Sequence, residues 1–223
     1  MKSLAARNLA NIIVLGRILL VFVVVWLWSA GSEPLRGAGV LVLVLAFLLD
    51  GLDGWVARRM GSASRLGGLM DTMGDRITEN VLLVFLAYQR LIPLFVPLVF
   101  ISRSFAADLI RHLNDAAGES TFSINRSWLG RWLVASTASR VLYLGSKMAL
   151  FFFAGAFWVG EVHPGSDPFG DRTHDWRILL AGLSVVLAVF NLLRFGLLVW
   201  DSRQVLAAAM SSASGAPEPG SPS

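Results

Sequence analysis

Long apolar stretches alternate with short polar segments along most of the 223-residue chain. A helix needs ~20 residues to cross a bilayer, and backbone polar groups in lipid must be satisfied within the segment, which favours helices. The pattern predicts an all-α integral membrane protein with six transmembrane helices. The third stretch is short unless it extends into residues 68–76. The six stretches span residues 12–28, 38–56, 77–89, 92–113, 133–159 and 178–200.

The end of the chain has a different composition. After Gln204 it becomes rich in Ala, Ser, Gly and Pro, and such a segment cannot bury a core. We therefore expect one transmembrane domain over residues 1–204 and a disordered tail over residues 205–223.

Composition and charge support a membrane location. Hydrophobic residues make up 55% of the chain and charged residues only 15%, below the ~25% usual in soluble domains. The net charge of +4 comes from arginines between apolar stretches, which argues against nucleic-acid binding. Their distribution predicts that both termini are cytoplasmic, and we expect the membrane to be the bacterial inner membrane. The absence of cysteine excludes disulfides, thiolate zinc sites and thiol nucleophiles.

Tryptophans occur at the ends of several predicted helices, a position typical of an interfacial aromatic belt. Such a belt would anchor the helices at the membrane surface. The residues in question are Trp26, Trp28, Trp158, Trp176 and Trp200.

Four aspartates lie where the second apolar stretch ends and the third begins. In a helix, Asp50 and Asp53 are one turn apart and share a face. Gly67, Asp71 and Asp75 recur every four residues, so they form one stripe of a second helix. If these helices pack together, four carboxylates converge in one pocket. The alternative is that they are ordinary loop acids paired with neighbouring arginines.

Converging carboxylates need a cation, because like charges repel one another. Oxygen ligands without His or Cys suit Mg²⁺, Mn²⁺ or Ca²⁺. Two such ions clamp a pyrophosphate and stabilise charge on the transferred phosphorus. The small residues Gly54, Ala57 and Gly67 leave room for a substrate, and Arg58 can bind phosphate bidentately.

The spacing of these residues resembles the signature of the CDP-alcohol phosphotransferase family at every defined position. The matching runs are Asp50-Gly-Leu-Asp53-Gly54-Trp-Val-Ala57-Arg58 and Gly67-Gly-Leu-Met-Asp71-Thr-Met-Gly-Asp75. The resemblance implies six helices, an active site between helices 2 and 3 at the cytoplasmic side, and a homodimer. It also implies transfer of a phosphatidyl group from CDP-diacylglycerol to a small alcohol, with release of CMP.

The resemblance further implies a role for each residue of the motif. Asp50, Asp53 and Asp71 would hold two Mg²⁺ or Mn²⁺ ions. Asp75 would be the general base for the acceptor hydroxyl and would also touch a metal. The CDP pocket would be lined by Gly54, Ala57, Arg58 and Gly67. Asn11 and Arg17 belong to a run similar to the family's opening pattern, although Ala10 replaces Pro and Val14 replaces Thr. The resemblance implies that they would contact the nucleotide; helix capping by Asn11 and interfacial snorkelling by Arg17 are the alternatives.

The second half of the chain must select the acceptor. Residues 101–111 and 127–131 resemble phosphatidylglycerophosphate synthases, although Ser104 replaces the usual acid, and residues 140–150 resemble phosphatidylinositol synthases. The acceptor is therefore predicted to be glycerol 3-phosphate or an inositol (phosphate). The cations expected to bind it are Arg103, Arg111, Arg131, Arg140 and Lys147. Arg111 and Arg131 would alternatively face solvent as cytoplasmic-loop charges.

Two other functions remain open at this point. A membrane cation transporter or channel could use the same aspartates as an ion path, although no internal repeat is visible. The second alternative is a family member without catalytic activity that acts as a binding or scaffold protein. Metal-dependent CMP release would separate an enzyme from both.

Overall fold

Helices make up nearly all of the described chain. The computed structural model describes residues 2–30, 32–59, 65–116, 136–160 and 173–214. No strand occurs in these ranges. The helices are α1 (Lys2–Ser29), α2 (Glu33–Arg59), α3 (Arg65–Tyr88), α4 (Phe95–Ala116), α5 (Thr137–Gly160), α6 (Thr173–Asp201) and α7 (Arg203–Ser214).

Each of the six predicted stretches coincides with one of the helices α1 to α6. The third stretch, which was short in the sequence, is extended toward the N-terminus in the structure. Helix α3 begins at Arg65 and therefore includes residues 68–76. Among the described residues, four segments are long and apolar enough to cross a membrane: Asn11–Ser29, Glu33–Leu52, Thr137–Gly160 and His174–Asp201. The protein is thus an all-helical membrane protein, and the six crossings stay a prediction.

The chain divides into two compact units. The first comprises Met1–Leu98 and Lys147–Val185, and the second comprises Val99–Ser146 and Val186–Ser223. Because α4, α5 and α6 each contribute to both, neither unit is a single stretch of sequence. The single domain over residues 1–204 stays a prediction.

Helix α1 forms the centre of the first unit and packs against α2 and α3. Its buried residues recur at intervals of three and four, as expected for one helical face. They are Val14, Arg17, Val21, Val24 and Trp28. The other face exposes large apolar side chains, including Ile12 and Leu19, which is the pattern of a helix that faces lipid.

Trp28 belongs to this core and not to an aromatic belt. Its side chain is only 1% exposed, between Gly39 of α2 and Gly155 of α5. The indole of Trp158 donates a hydrogen bond to the Trp28 carbonyl over 3.1 Å. The belt interpretation is therefore wrong for Trp28, whereas Trp26, at 65% exposed, agrees with it.

The contact between Trp28 and Gly155 leads to a stability prediction. A Cβ atom on Gly155 would lie 2.6 Å from Trp28 Cζ2. We expect Gly155→Ala to destabilise the protein by about 1–3 kcal/mol, as overpacking usually does. Thermal melting in detergent, followed by circular dichroism, should show a lower Tm.

Gly145 of the same helix provides the matched control. A Cβ atom there would meet nothing within 4 Å, and alanine favours helix over glycine by about 1 kcal/mol. Gly145→Ala should therefore keep or raise the Tm. Equal losses in the two variants would contradict the close packing at Gly155.

The second unit has its own small core. Ala107 and Ile110 of α4 pack with Leu198 of α6, and Leu206 of α7 lies against this cluster. The buried Asn114 amide donates to the Ser202 hydroxyl over 2.9 Å. Residues 205–214, which the sequence predicted to be disordered, belong to helix α7 in the structure. Residues 215–223 lie outside the described ranges.

Candidate functional site

Three aspartates from two helices meet in the first unit. Asp50 comes from α2, and Asp71 and Asp75 come from α3. One carboxylate oxygen of each lies within 4.8 Å of those of the other two. Asp50 is the least exposed of the three side chains, at 29%, and Asp71 and Asp75 are each 49% exposed.

Helix boundaries explain how this acidic triad (Asp50, Asp71 and Asp75) forms. Helix α2 continues to Arg59, so Asp50 lies in its last three turns. Helix α3 begins at Arg65, so Asp71 and Asp75 lie in its first three turns, on one face. Helix α1 packs against both α2 and α3.

Arg17 of α1 is the cationic partner of the acidic triad. Its Nη1 contacts Asp50 Oδ1 and lies 3.1 Å from Asp75 Oδ1. Its Nη2 lies 3.5 Å from Asp71 Oδ1 and donates to the Asp71 carbonyl over 3.4 Å. The Arg17 side chain is 2% exposed, so this guanidinium is buried against the carboxylates.

The sequence contained a signal for this role. Arg17 lies three residues after Val14 and four before Val21, on the buried face of α1. A buried guanidinium must be paired, because an unpaired buried charge is very costly. The opening pattern had suggested a nucleotide contact or snorkelling. The structure shows a buried side chain paired with the triad, which contradicts snorkelling, and the nucleotide contact stays a prediction.

Gly74 makes the space for this guanidinium. A Cβ atom at Gly74 would lie 2.7 Å from Arg17 Nη2 and 3.0 Å from Val14 Cγ1. Any larger residue would require Arg17 to shift. The glycine between Asp71 and Asp75 therefore lets α1 approach α3 at the triad.

The acidic stripe of α3 continues one turn beyond Asp75. Glu79 is buried, and its Oε1 lies 3.6 Å from Lys147 Nζ of α5. Lys147 was predicted to bind the acceptor, and in the structure it is paired with this carboxylate. The sequence analysis missed Glu79, although it extends the four-residue repeat of Gly67, Asp71 and Asp75.

The remaining candidates are only partly described. Asn11 lies half-buried on α1, and Gly67 lies in the first turn of α3. Arg103 and Arg111 belong to α4 in the second unit, where Arg111 Nη1 lies 3.5 Å from Asp108 Oδ1. Outside the described residues lie the side chains of Asp53, Ala57, Arg58 and Arg140, the surroundings of Gly54, and the whole of Arg131.

A comparison with known proteins identifies the family of this chain. The family model described as CDP-alcohol phosphatidyltransferase matches residues 7–190, which include Arg17 and all three aspartates of the triad. This chain belongs to the CDP-alcohol phosphatidyltransferase family. It is therefore a phospholipid-synthesis enzyme, and the suspected resemblance is confirmed.

Curated relatives of this phosphatidyltransferase use different acceptors. It is 28% identical over 167 residues to a CDP-diacylglycerol–glycerol-3-phosphate 3-phosphatidyltransferase of Bacillus subtilis, covering 68% of this chain and 86% of the relative. It is 29% identical to a CDP-diacylglycerol–inositol 3-phosphatidyltransferase of Schizosaccharomyces pombe, covering 52% and 46%. It is 30% identical to an archaetidylinositol phosphate synthase of Pyrococcus horikoshii, covering 55% and 64%. No solved structure matches the chain.

The donor set of the acidic triad fits a hard divalent cation. All three ligands are carboxylates, which Mg²⁺ and Mn²⁺ prefer. When ionised they carry three negative charges, and the single positive charge of Arg17 leaves a net charge of −2. One divalent ion would balance this remainder.

Proposed function

We propose that this enzyme transfers a phosphatidyl group from CDP-diacylglycerol to glycerol 3-phosphate or to an inositol (phosphate) and releases CMP. The observation that carries the proposal is the convergence of Asp50, Asp71 and Asp75 in a chain of this family. The names of the relatives support the donor and the two kinds of acceptor.

Four aspartates carry the chemistry in this proposal. Asp50, Asp53 and Asp71 would hold two Mg²⁺ or Mn²⁺ ions, and Asp75 would also contribute to a metal. Such ions would supply charge stabilisation at the pyrophosphate. Asp75 accepts the proton of the acceptor hydroxyl, which requires hydrogen-bond reach to it. The hydroxyl oxygen forms a bond to the lipid-linked phosphorus, and the bond from that phosphorus to the CMP oxygen breaks.

The same proposal assigns binding roles to further residues. Gly54, Ala57, Arg58, Gly67 and Asn11 bind the CDP group. Arg103, Arg111, Arg131, Arg140 and Lys147 supply positive charge for a phosphorylated acceptor. Because Lys147 is already paired with Glu79, it would share its charge between that carboxylate and the acceptor.

The membrane arrangement follows from the same reasoning. Six crossings with both termini in the cytoplasm put the aspartate motif at the cytoplasmic side of the bacterial inner membrane. There a lipid donor and a water-soluble acceptor can meet. We include a homodimer in the proposal on the basis of family resemblance.

CMP release by the purified protein tests this function. With CDP-diacylglycerol and Mg²⁺ or Mn²⁺, we expect release with glycerol 3-phosphate, inositol 1-phosphate or free inositol, and none with serine or choline. EDTA should abolish it, because the acids alone cannot stabilise the pyrophosphate charge. Adding excess Mg²⁺ or Mn²⁺ should restore it.

Two outcomes would contradict the proposal in different ways. Release that is insensitive to EDTA would exclude the metal role of the acidic triad. A protein that binds CDP-diacylglycerol but releases no CMP with any acceptor would be a noncatalytic member. A cation transporter would be recognised by ion flux into vesicles without CMP release.

A further inference from the structure

The cationic partner of the acidic triad is built into the protein. Arg17 is buried on the same face of α1 as Val14 and Val21, so the packing of the helix fixes its position. Its guanidinium lies against carboxylates from both α2 and α3. It therefore holds a positive charge inside the triad.

Arg17 and a divalent cation require the same three carboxylates. Nη1 bridges Asp50 and Asp75, and Nη2 reaches Asp71. An ion bound by one oxygen of each acid would lie within a few ångströms of the guanidinium, because the three oxygens lie within 4.8 Å of one another. Two cations at that separation repel strongly in a partly buried site.

We propose that Arg17 is an internal counter-ion that competes with the divalent metal for Asp50, Asp71 and Asp75. The proposal rests on the metal role given to the acids under the proposed function. Metal binding requires Arg17 to give up part of its contacts with them. Arg17 thereby lowers the metal affinity below that of the carboxylates alone, while it keeps the acids of α2 and α3 together.

A role in which Arg17 only arranges the acids for the metal has the opposite consequence. In that case removal of Arg17 would loosen the three carboxylates and weaken metal binding. In the competition that we propose, removal abolishes both the repulsion and the competing contacts, so binding becomes tighter. The direction of the change in affinity therefore decides between the two roles.

The test is a Mn²⁺ titration of the full-length protein in detergent, with free Mn²⁺ measured by electron paramagnetic resonance. We expect Arg17→Met to bind Mn²⁺ at least about tenfold more tightly than wild type, because the repulsion at this distance is large. The gain should disappear in the double variant Arg17→Met, Asp50→Ala. Equal or weaker binding by Arg17→Met would overturn the proposal.

Arg36→Met is the matched control. Arg36 also lies in the first unit, where its guanidinium stacks on the Trp158 ring and donates to the Trp158 carbonyl. It is separated from Asp50 by 14 positions of α2, or about 21 Å of helix. Its loss should leave the Mn²⁺ affinity unchanged, and a gain equal to that of Arg17→Met would overturn the proposal.

A second variant keeps the test decisive if Arg17→Met does not fold. Arg17→Lys retains the charge, but one ammonium cannot reproduce the contacts of two guanidinium nitrogens. It should bind Mn²⁺ more tightly than wild type by a smaller factor, and no gain would overturn the proposal. If wild type binds no Mn²⁺ at all, the metal role itself fails; if wild type binds and no Arg17 variant differs, only the competition fails.

Discussion

Replacement of Asp75 by asparagine is expected to stop turnover while CDP-diacylglycerol stays bound. Asparagine keeps the shape of the side chain and an acceptor oxygen for Arg17 Nη1, which lies 3.1 Å from Asp75 Oδ1. It cannot take the proton of the acceptor hydroxyl. Loss of a general base lowers rates by about 10²–10⁴-fold. The rate of CMP release should therefore fall by at least about 10²-fold.

Two measurements on the Asp75→Asn protein check this expectation. CMP release should be measured at saturating metal, and binding of radiolabelled CDP-diacylglycerol should be measured on the same preparation. Glu33→Gln is the control, since Glu33 is an exposed acid in the first turn of α2 and belongs to no proposed site. Loss of lipid binding together with turnover would show that Asp75 acts as a substrate or metal ligand and not mainly as a base.

Replacement of Asp50 by alanine is expected to remove metal binding and, with it, binding of the CDP group. Asp50 is the only member of the triad from α2, so its loss leaves ligands from α3 alone. Loss of a direct ligand should cost more than the roughly 10–100-fold typical of outer-shell partners. Mn²⁺ titration and lipid binding should both show the change.

The same substitution tests the pairing with Arg17. Asp50 is in direct contact with the buried guanidinium, and breaking a buried ion pair costs about 3–5 kcal/mol. Asp50→Ala should therefore also lower the Tm. Asp50→Asn retains an acceptor oxygen, so it should have a higher Tm than Asp50→Ala. It should still lose most of the metal affinity. If Asp50→Ala and Asp75→Asn lost lipid binding equally, the separate roles of ligand and base would be wrong.

The two substitutions and the Arg17 variants form one consistent set. Asp50→Ala should weaken Mn²⁺ binding, and Arg17→Met should strengthen it. Asp75→Asn should affect turnover far more than binding. Opposite signs for an acid and its own ion-pair partner are expected only when the two groups act on the same bound ion.

The sequence by itself determined the helices and the acidic motif. The apolar stretches gave the positions of α1 to α6, because the need to satisfy backbone polar groups in lipid leaves helices as the only suitable element. The four-residue spacing placed Asp71 and Asp75 on one face, because this spacing is a local property of the helix. Membership of the family was likewise readable from the motif alone.

Only the tertiary structure decided which side chains pair across helices. Arg17 contacts Asp71, which lies 54 positions away in the sequence. The Trp158 indole donates a hydrogen bond to the carbonyl of Trp28, which lies 130 positions away. Periodicity gives the face of a helix but not the neighbour that covers it. Trp28 was therefore assigned to the membrane interface, although it lies in the core. The pairing of Lys147 with Glu79 was not foreseen, and its role toward the acceptor stays a prediction. Helix α7 was also missed, because its composition is that of a flexible tail. Its packing depends on a tertiary contact, that of Leu206 with the core of the second unit.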